Sequence, residues 1–189
     1  MNLVKMLQDI PTIENIKITL RKMQEKDAND LFQYYNNENV YQYLDWNGPK
    51  SVEDAERIIK IWNKGFEEGW ILRFAIAEKA TNIIIGTIFL NNFEGRRAEI
   101  GYELSESYWN KGIMSEAIKE ILHLSFNQLA ITRVQAFVCE ENIASKHLLE
   151  KFNFHKEGYL RQYECHTASG KCKDMYIYSL LKEEFASSL

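Results

Sequence analysis

The stretch EIGYELSESYWNKGIMSEA, residues 99–117, decides the fold of this chain. Apolar and polar side chains alternate over 99–104, which predicts a strand with its carboxylates on one face. A polar turn then leads to Gly112, where the pattern predicts the start of a helix. Free N–H groups and the dipole at an exposed helix start favour a phosphate-bearing ligand. Glu99 precedes that helix on the strand, where its carboxylate can act as a base beside the ligand.

The composition indicates one globular domain over residues 1–189, with residues 1–15 as an N-terminal arm. Its net charge of −4 disfavours a nucleic-acid binder, because such proteins are usually basic. We therefore expect no direct contact with nucleic acid. A mildly acidic surface tolerates cationic or amine substrates.

The N-terminal sequence lacks the sustained apolar core of a signal peptide, and no window approaches the ~20 apolar residues of a membrane helix. Cys139, Cys165 and Cys172 are an odd, sparse set, which predicts reduced thiols rather than a disulfide framework. We expect a cytoplasmic protein that does not enter a membrane. Cys165, His166 and Cys172 fit no common zinc spacing, so we predict no metal site.

The predicted order of elements is β, α, α, β, β, β, α, β, α, β, β. This order indicates an α/β (α+β) fold, in which helices cover a mixed sheet. The parallel step joins a strand at 97–104 to a strand at 132–139 through a helix at 112–127. Ligands in such sheets bind at the C-terminal ends of the strands. The C-terminal KEEFASSL is expected to be solvated.

Three motifs, in order, carry a resemblance to a known family. They are AEIGYEL at 98–104, YWNKGIMSEA at 108–117 and ENIASKHLLEKFNF at 141–154. The chain resembles the GNAT acetyltransferase superfamily over residues 16–182, and within it the RimJ/RimL-type protein N-acetyltransferases. The resemblance implies a GNAT fold with a mixed central sheet of about seven strands, a splayed parallel pair and about four flanking helices.

The resemblance also implies that acetyl-CoA binds as a co-substrate. Backbone N–H groups of the loop before the helix would hold its diphosphate; these residues are Trp109, Asn110, Lys111, Gly112, Ile113, Met114 and Ser115. Met114 stands where the superfamily has glycine or alanine, and its side chain would lie on the phosphate side. Backbone groups of Glu103, Leu104 and Ser105 would pair with the pantetheine arm as an added strand does.

Glu99 matches the glutamate that many GNAT enzymes use as a general base, with Glu103 as the alternative. The structural alternative is that Glu99 pairs with Arg96, with Arg97 or with a neighbouring strand. An attacking amine arrives protonated, and a carboxylate of raised pKa can take that proton.

Asn142 and Ser145 match the third motif of the resemblance. Asn142 is predicted to cap a helix and to bond the pantetheine, while Ser145 would protonate or bond the leaving thiolate. Many GNAT enzymes use a tyrosine four residues after this serine position, but Leu149 stands there. Local hydrogen bonding at a helix start is the structural alternative for Ser145.

Tyr35 and Trp46 are predicted to line the acceptor site, whereas most other aromatic residues nearby are interpreted as core. The function implied is acetyl transfer to a primary amine by direct attack in a ternary complex. We expect a protein N-terminal α-amine as acceptor, in the manner of ribosomal proteins. A small amine (polyamine, amino acid or aminoglycoside) and a non-catalytic acyl-CoA sensor are the alternatives, and monomer and homodimer both stay open.

Overall fold

The computed structural model describes residues 12–186, in which eight strands form one sheet in the order β1-β2-β3-β4-β5-β6-β8-β7. The strands are β1 Ile13–Glu14, β2 Ile18–Arg21, β3 Ile71–Glu78, β4 Ile84–Glu94, β5 Arg97–Leu104, β6 Arg133–Cys139, β7 His155–Cys165 and β8 Cys172–Leu181. The predicted mixed fold is confirmed, with one strand more than expected. The proposed N-terminal arm lies mostly outside the described residues, and its last part contributes the two-residue strand β1.

Six α-helices flank the sheet within this range. They are α1 Ala28–Tyr35, α2 Glu38–Tyr41, α3 Val52–Glu68, α4 Ile113–His123, α5 Ile143–Lys151 and α6 Lys182–Ala186. The expectation of a solvated C-terminus is wrong for Phe185, which is 8% exposed because its ring packs against Phe126 and His123. No helix in the described part of the chain has the length and apolar content needed to cross a bilayer.

The longest helix, α3, shows how local sequence sets its ends. Ser51 is the N-cap, and its hydroxyl accepts a hydrogen bond from the N–H of Asp54 at 3.2 Å. Gly69 ends the helix with φ of +77°, a left-handed conformation that glycine adopts without strain. Serine at the start and glycine at the end are the residue types that the local geometry favours at these positions.

Each face of the sheet has its own core. On one face, α4 packs Met114, Ala117 and Ile118 against Ile100 and Leu104 of β5. The other face carries α1 and α3, whose apolar side chains pack with those of β3 and β4; the main members are Leu31, Ile59, Ala75, Ala77 and Ile84. Helices therefore cover the sheet on both faces.

Among the described strands, only β5 and β6 run parallel, and their pairing is short. Three residue pairs join them, the last between Glu99 and Gln135. Beyond that pair β5 continues along β4 as far as Leu104, while β6 continues along β8 as far as Cys139. The two strands therefore diverge and form a fork, which is the splayed pair that the resemblance implies.

The β7–β8 hairpin corrects the cysteine prediction. Cys165 and Cys172 face each other across the hairpin register and form a disulfide. Cys139 remains a free, buried thiol. The expectation of reduced thiols is therefore wrong for two of the three cysteines, because cysteine count alone does not reveal which residues a hairpin brings together.

Candidate active site

A cavity of about 150 Å³ opens where β5 and β6 part. Its wall on the fork side includes Glu99, Gly101, Tyr102, Val138, Cys139, Asn142 and Ser145. Its opposite wall includes Tyr43, Asp45, Phe89 and Glu164. The fork thus joins a narrow slot between strands to an acidic and aromatic chamber.

Glu99 lies at the base of the fork and lines this cavity. Burial raises the pKa of its carboxyl group above the usual value, whereas a hydrogen bond from Asn92 and the charge of Arg97 oppose the shift. The Asn92 Nδ2–H donates to Glu99 Oε2 at 3.0 Å. A carboxylate in this environment binds a proton more readily than an exposed one does.

Glu103, on the same face of β5, has a different environment. It is 6% exposed, and its Oε1 accepts hydrogen bonds from Arg73 at 3.1 Å and from the Thr87 hydroxyl. The Arg73 guanidinium lies 4.1 Å from the ring centre of Trp62 and 3.9 Å from that of Phe89. This buried network holds Glu103 away from the cavity wall.

The backbone of Ser105, which was predicted to pair with the pantetheine arm, already makes hydrogen bonds within the protein. Its N–H donates to the Ile85 carbonyl at 2.7 Å, and its carbonyl accepts from the Tyr108 N–H at 2.9 Å. The N–H is used because β5 passes directly into a 3-10 turn, so Ser105 can offer a further partner only the second lone pair of its carbonyl. The Leu104 carbonyl accepts from Trp109 Nε1 at 2.8 Å, which fixes the indole against the strand end.

The loop before α4 presents free N–H groups. Gly112 has φ of +77° and takes the N-cap position without a side-chain cap. Within residues 12–186, no acceptor bonds the N–H groups of residues 111–115. Ile113 and Met114 are 8% and 7% exposed and belong to the core, so the Met114 side chain does not crowd the loop.

Lysine side chains surround this loop, and two of them were not predicted. Lys151 donates to the Ser115 hydroxyl at 3.2 Å, and Lys17 donates to the Lys111 carbonyl at 3.4 Å. The Lys111 ammonium lies 5.2 Å from the ring centre of Tyr108. These cations and the free N–H groups together favour a polyanion such as a diphosphate.

At the other arm of the fork, Asn142 caps α5 as predicted. Its Oδ1 accepts from the Ser145 N–H at 3.0 Å. The Ser145 hydroxyl lies 2.8 Å from the Tyr102 hydroxyl, a contact that sequence reasoning missed. Leu149 is fully buried in the core and offers no polar group.

The acceptor chamber differs in part from the prediction. Tyr35 does not line the cavity, because its ring is 2% exposed and packs beside Tyr34 and Trp46. Trp46 is partly exposed and adjoins Asp45, but it does not line the cavity either. Burial, and then the charges of Asp45 and Glu99, raise the pKa of Glu164.

The tip of the β7–β8 hairpin bonds to the segment that forms one wall of the chamber. Thr167 donates from its N–H and its hydroxyl to the Asp45 carbonyl, at 2.7 and 3.0 Å. His166 Nε2 lies 2.8 Å from Asn47 Oδ1, and Lys173 donates to the Gln42 carbonyl at 2.6 Å. We call this contact the hairpin clasp; it joins residues 166–173 to residues 42–47.

A long and thin ligand accounts for these features together. A coenzyme A thioester carries a diphosphate, which suits the amides and lysines at the start of α4, and an extended arm, which suits the fork. Fold and site thus define an acyltransferase that uses a coenzyme A thioester.

Comparison with known proteins specifies this class. A family model described as acetyltransferase (GNAT) domain matches residues 17–155. The protein named uncharacterized N-acetyltransferase p20, from Bacillus licheniformis, is 40% identical over 93% of this chain and 98% of its own length. The chain belongs to the GNAT acetyltransferase family, and it is an acetyl-CoA-dependent acetyltransferase.

Two further relatives support the branch and the fold. The ribosomal-protein-serine acetyltransferase of Escherichia coli (strain K12) is 29% identical over 80% of this chain and 88% of its own length. A crystal structure of a GNAT-family acetyltransferase from Bacillus anthracis has a TM-score of 0.78 at 27% identity, over 92% of this chain and 100% of that one. The resemblance to the RimJ/RimL-type branch is confirmed.

Proposed function

We propose that the protein transfers the acetyl group of acetyl-CoA to a protein N-terminal α-amine, with Glu99 as the general base. The observation that carries this proposal is the position of Glu99, a carboxylate of raised pKa at the base of the fork. The relative named ribosomal-protein-serine acetyltransferase supports an acceptor on a protein. The acidic chamber formed with Asp45 and Glu164 suits a cationic amine before it loses its proton.

The reaction needs no covalent enzyme intermediate. Glu99 takes a proton from the ammonium group of the acceptor, and the free amine attacks the thioester carbonyl carbon. The new C–N bond forms and the C–S bond breaks, and the electron pair of the broken bond stays on sulfur. The nitrogen loses its second proton to solvent as the neutral amide forms. Binding both substrates in one cavity supplies much of the rate, because the attack becomes effectively unimolecular.

The structural argument for Glu99 over Glu103 is accessibility. Glu103 is ion-paired to Arg73 and is not part of the cavity wall, so an acceptor cannot reach its carboxylate. Glu99 accepts a hydrogen bond from Asn92 and lines the cavity. We propose a structural role for Glu103, whose ion pair with Arg73 fixes that side chain beside β5.

The donor would be held by the loop before α4 and by the two arms of the fork. Free N–H groups of residues 111–115, with Lys111 and Lys151, would bind the diphosphate. The diverging edges of β5 and β6 would pair with the pantetheine arm, and backbone N–H near Leu104 would polarise the thioester carbonyl. Asn142, whose Oδ1 is used by the helix cap, has its side-chain amide N–H left for this arm.

One observation favours a second candidate, a small free amine as acceptor. The hairpin clasp lies beside the chamber at Asp45 and would hinder the approach of a folded protein surface more than that of a compact molecule such as a polyamine or an aminoglycoside. The three carboxylates of the chamber suit a molecule with several ammonium groups.

Product analysis by mass spectrometry tests these proposals. The protein is incubated with acetyl-CoA and either a library of peptide N-termini or a panel of small amines. Acetylated peptides support the first candidate, and acetylated small amines alone support the second. Tight binding of acetyl-CoA with no product from any amine would favour the sensor interpretation over both.

The variant Glu99→Gln tests the base. Removing a general base lowers the rate about 10²–10⁴-fold, so we expect a loss of kcat/KM in this range. Because Glu99 must be deprotonated to act, activity in the wild type should rise with pH through an ionisation above the ordinary value of 4.5, and Glu99→Gln should lack this limb. Glu94→Gln, an exposed carboxylate paired with Arg97, is the control and should keep wild-type activity. A wild-type profile in Glu99→Gln would refute the assignment.

A further inference from the structure

The structure shows a pair of hydroxyl groups that bridges the fork. Tyr102 comes from β5 and Ser145 from the first turn of α5, which follows β6. Their oxygen atoms lie 2.8 Å apart, and both residues line the cavity. One hydroxyl therefore reaches this cavity from each arm of the fork.

We propose that Tyr102 is a positioning residue, whose phenol orients the Ser145 hydroxyl towards the departing sulfur of coenzyme A. This inference rests on the proposed acetyl transfer and concerns its leaving-group side. When the C–S bond breaks, negative charge develops on sulfur, and an O–H donor held in place stabilises that charge. The Tyr102 O–H donates to Ser145 Oγ, which leaves the Ser145 O–H to donate into the cavity.

The position of each partner is compatible with this direction of hydrogen bonding. The Asn142 Oδ1 accepts from the Ser145 N–H and so holds the serine backbone in place. Burial raises the pKa of the Tyr102 phenol to about 12, so the phenol keeps its proton at neutral pH. The protonated phenol can therefore donate to Ser145 Oγ, which is the direction that the proposal requires.

The proton balance of the step needs no further group. Glu99 passes to solvent the proton taken from the ammonium group, and the nitrogen loses its second proton to solvent as the amide forms. Both hydroxyl groups keep their protons while they stabilise the thiolate, and the thiolate takes a proton from solvent once it leaves. Leu149, buried in the core one turn beyond Ser145, supplies no alternative donor.

The alternative role for the Tyr102–Ser145 bond is purely structural, as a tie between β5 and α5. Tyr178 provides the matched control, because its phenol also ties the sheet to α5 through Glu150 at 3.2 Å and its pKa is likewise about 12. Tyr178 lies outside the cavity wall. Tyr178→Phe therefore removes an equivalent tie without touching the reaction.

The test measures kinetics and the titration of bound coenzyme A. We expect Tyr102→Phe and Ser145→Ala each to lower kcat about tenfold, the lower end of the effect of a hydrogen bond to a charged group, with the KM for acetyl-CoA within about twofold. The double variant should be no slower than the slower single variant, because the two residues act as one unit. Tyr178→Phe should keep wild-type kcat.

The second readout is the pKa of the coenzyme A thiol in the binary complex, measured by alkylation rate against pH. A tenfold weaker stabilisation of the thiolate corresponds to a rise of about one pH unit, expected in Tyr102→Phe and Ser145→Ala but not in Tyr178→Phe. An unchanged thiol pKa, full additivity of the two losses, or wild-type kcat in Tyr102→Phe would each overturn the proposal. This titration needs no acceptor, so it also decides the proposal if acetyl transfer to the chosen amines fails. If Tyr102→Phe is poorly folded, Ser145→Ala supplies the readout.

Discussion

At the scale of single residues, Cys139 is a potential nucleophile in the cavity wall that takes no part in the proposed reaction. Its thiol lines the cavity, but burial raises its pKa and its S–H bonds to Glu141. The thiolate is the reactive form of cysteine, so this environment opposes an acetyl-cysteine intermediate.

We predict that Cys139→Ala keeps kcat within about twofold of the wild type, since no covalent step passes through this sulfur. Steady-state assays with acetyl-CoA and the identified amine provide the measurement. A loss of two orders of magnitude, together with an acetyl group on Cys139 in the intact mass spectrum of the wild type, would contradict direct attack.

Sequence reasoning reached some residues of the site and missed others for a physical reason. Glu99 and Asn142 were reached because a strand alternation and a helix cap are local patterns. Tyr102 bonds a partner 43 residues away, Lys17 one 94 residues away and Lys151 one 36 residues away. Such contacts depend on how elements pack, so the spacing of residues along the chain carries no sign of them.

At the scale of elements, the loop before α4 depends on the conformation of Gly112. An added Cβ there meets no atom within 4 Å, so a substitution costs backbone strain and causes no clash. We predict that Gly112→Ala weakens coenzyme A binding about fivefold, in line with roughly 1 kcal/mol for a non-glycine residue in this conformation. Titration calorimetry measures the change.

Gly95 offers a matched control for this prediction. It has φ of +61°, and an added Cβ again meets nothing within 4 Å, but it lies in the β4–β5 turn. Gly95→Ala should lower thermal stability by a similar amount and leave coenzyme A affinity unchanged. Equal losses of affinity in the two variants would show that the φ of Gly112 has no special role in binding.

The long elements were predicted well and the short ones were not. Ser51 and Gly69 mark both ends of α3, whereas α2 and β1 are too short for any periodicity to develop. The predicted helix at 112–127 ends at His123 and continues as a π-helical turn over Leu124–Gln128. Apolar residues continue through that turn, so the change of helix type is invisible in the pattern.

At the scale of the whole molecule, the hairpin clasp joins the β7–β8 hairpin to the segment between α2 and α3 on the acceptor side. The disulfide between Cys165 and Cys172 closes the six-residue tip that makes these contacts. Without it the tip gains freedom, and binding of an acceptor must then order it again.

We predict that Cys165→Ser with Cys172→Ser raises the KM for the acceptor about threefold to tenfold, because ordering a loop costs about 1 kcal/mol, and leaves the KM for acetyl-CoA unchanged. Hydrogen exchange over residues 166–171 should also become faster. Dithiothreitol should reproduce both effects in the wild type and have none in the double variant. If the KM for the acceptor and the hydrogen exchange both stay unchanged, the hairpin clasp has no role in acceptor binding.

The three motifs predicted the overall architecture, but they did not predict the disulfide in the β7–β8 hairpin. Motif order placed the parallel pair and the two helices that follow its strands, because those elements are adjacent in the chain. The link between Cys165 and Cys172 arises from the register of β7 on β8, which includes two irregularities. Strand register across such irregularities depends on packing, and the number of cysteines gives no information about it.

The fork also bears on how the protein avoids aggregation. Beyond the pair of Glu99 and Gln135, β5 and β6 each have one edge without a neighbouring strand. An unpaired edge on the rim of a sheet recruits strands from other molecules. Here the two unpaired edges face each other across the fork, inside the sheet, so neither lies on its rim. The divergence of β5 from β6 thus places these edges away from the positions where self-association starts.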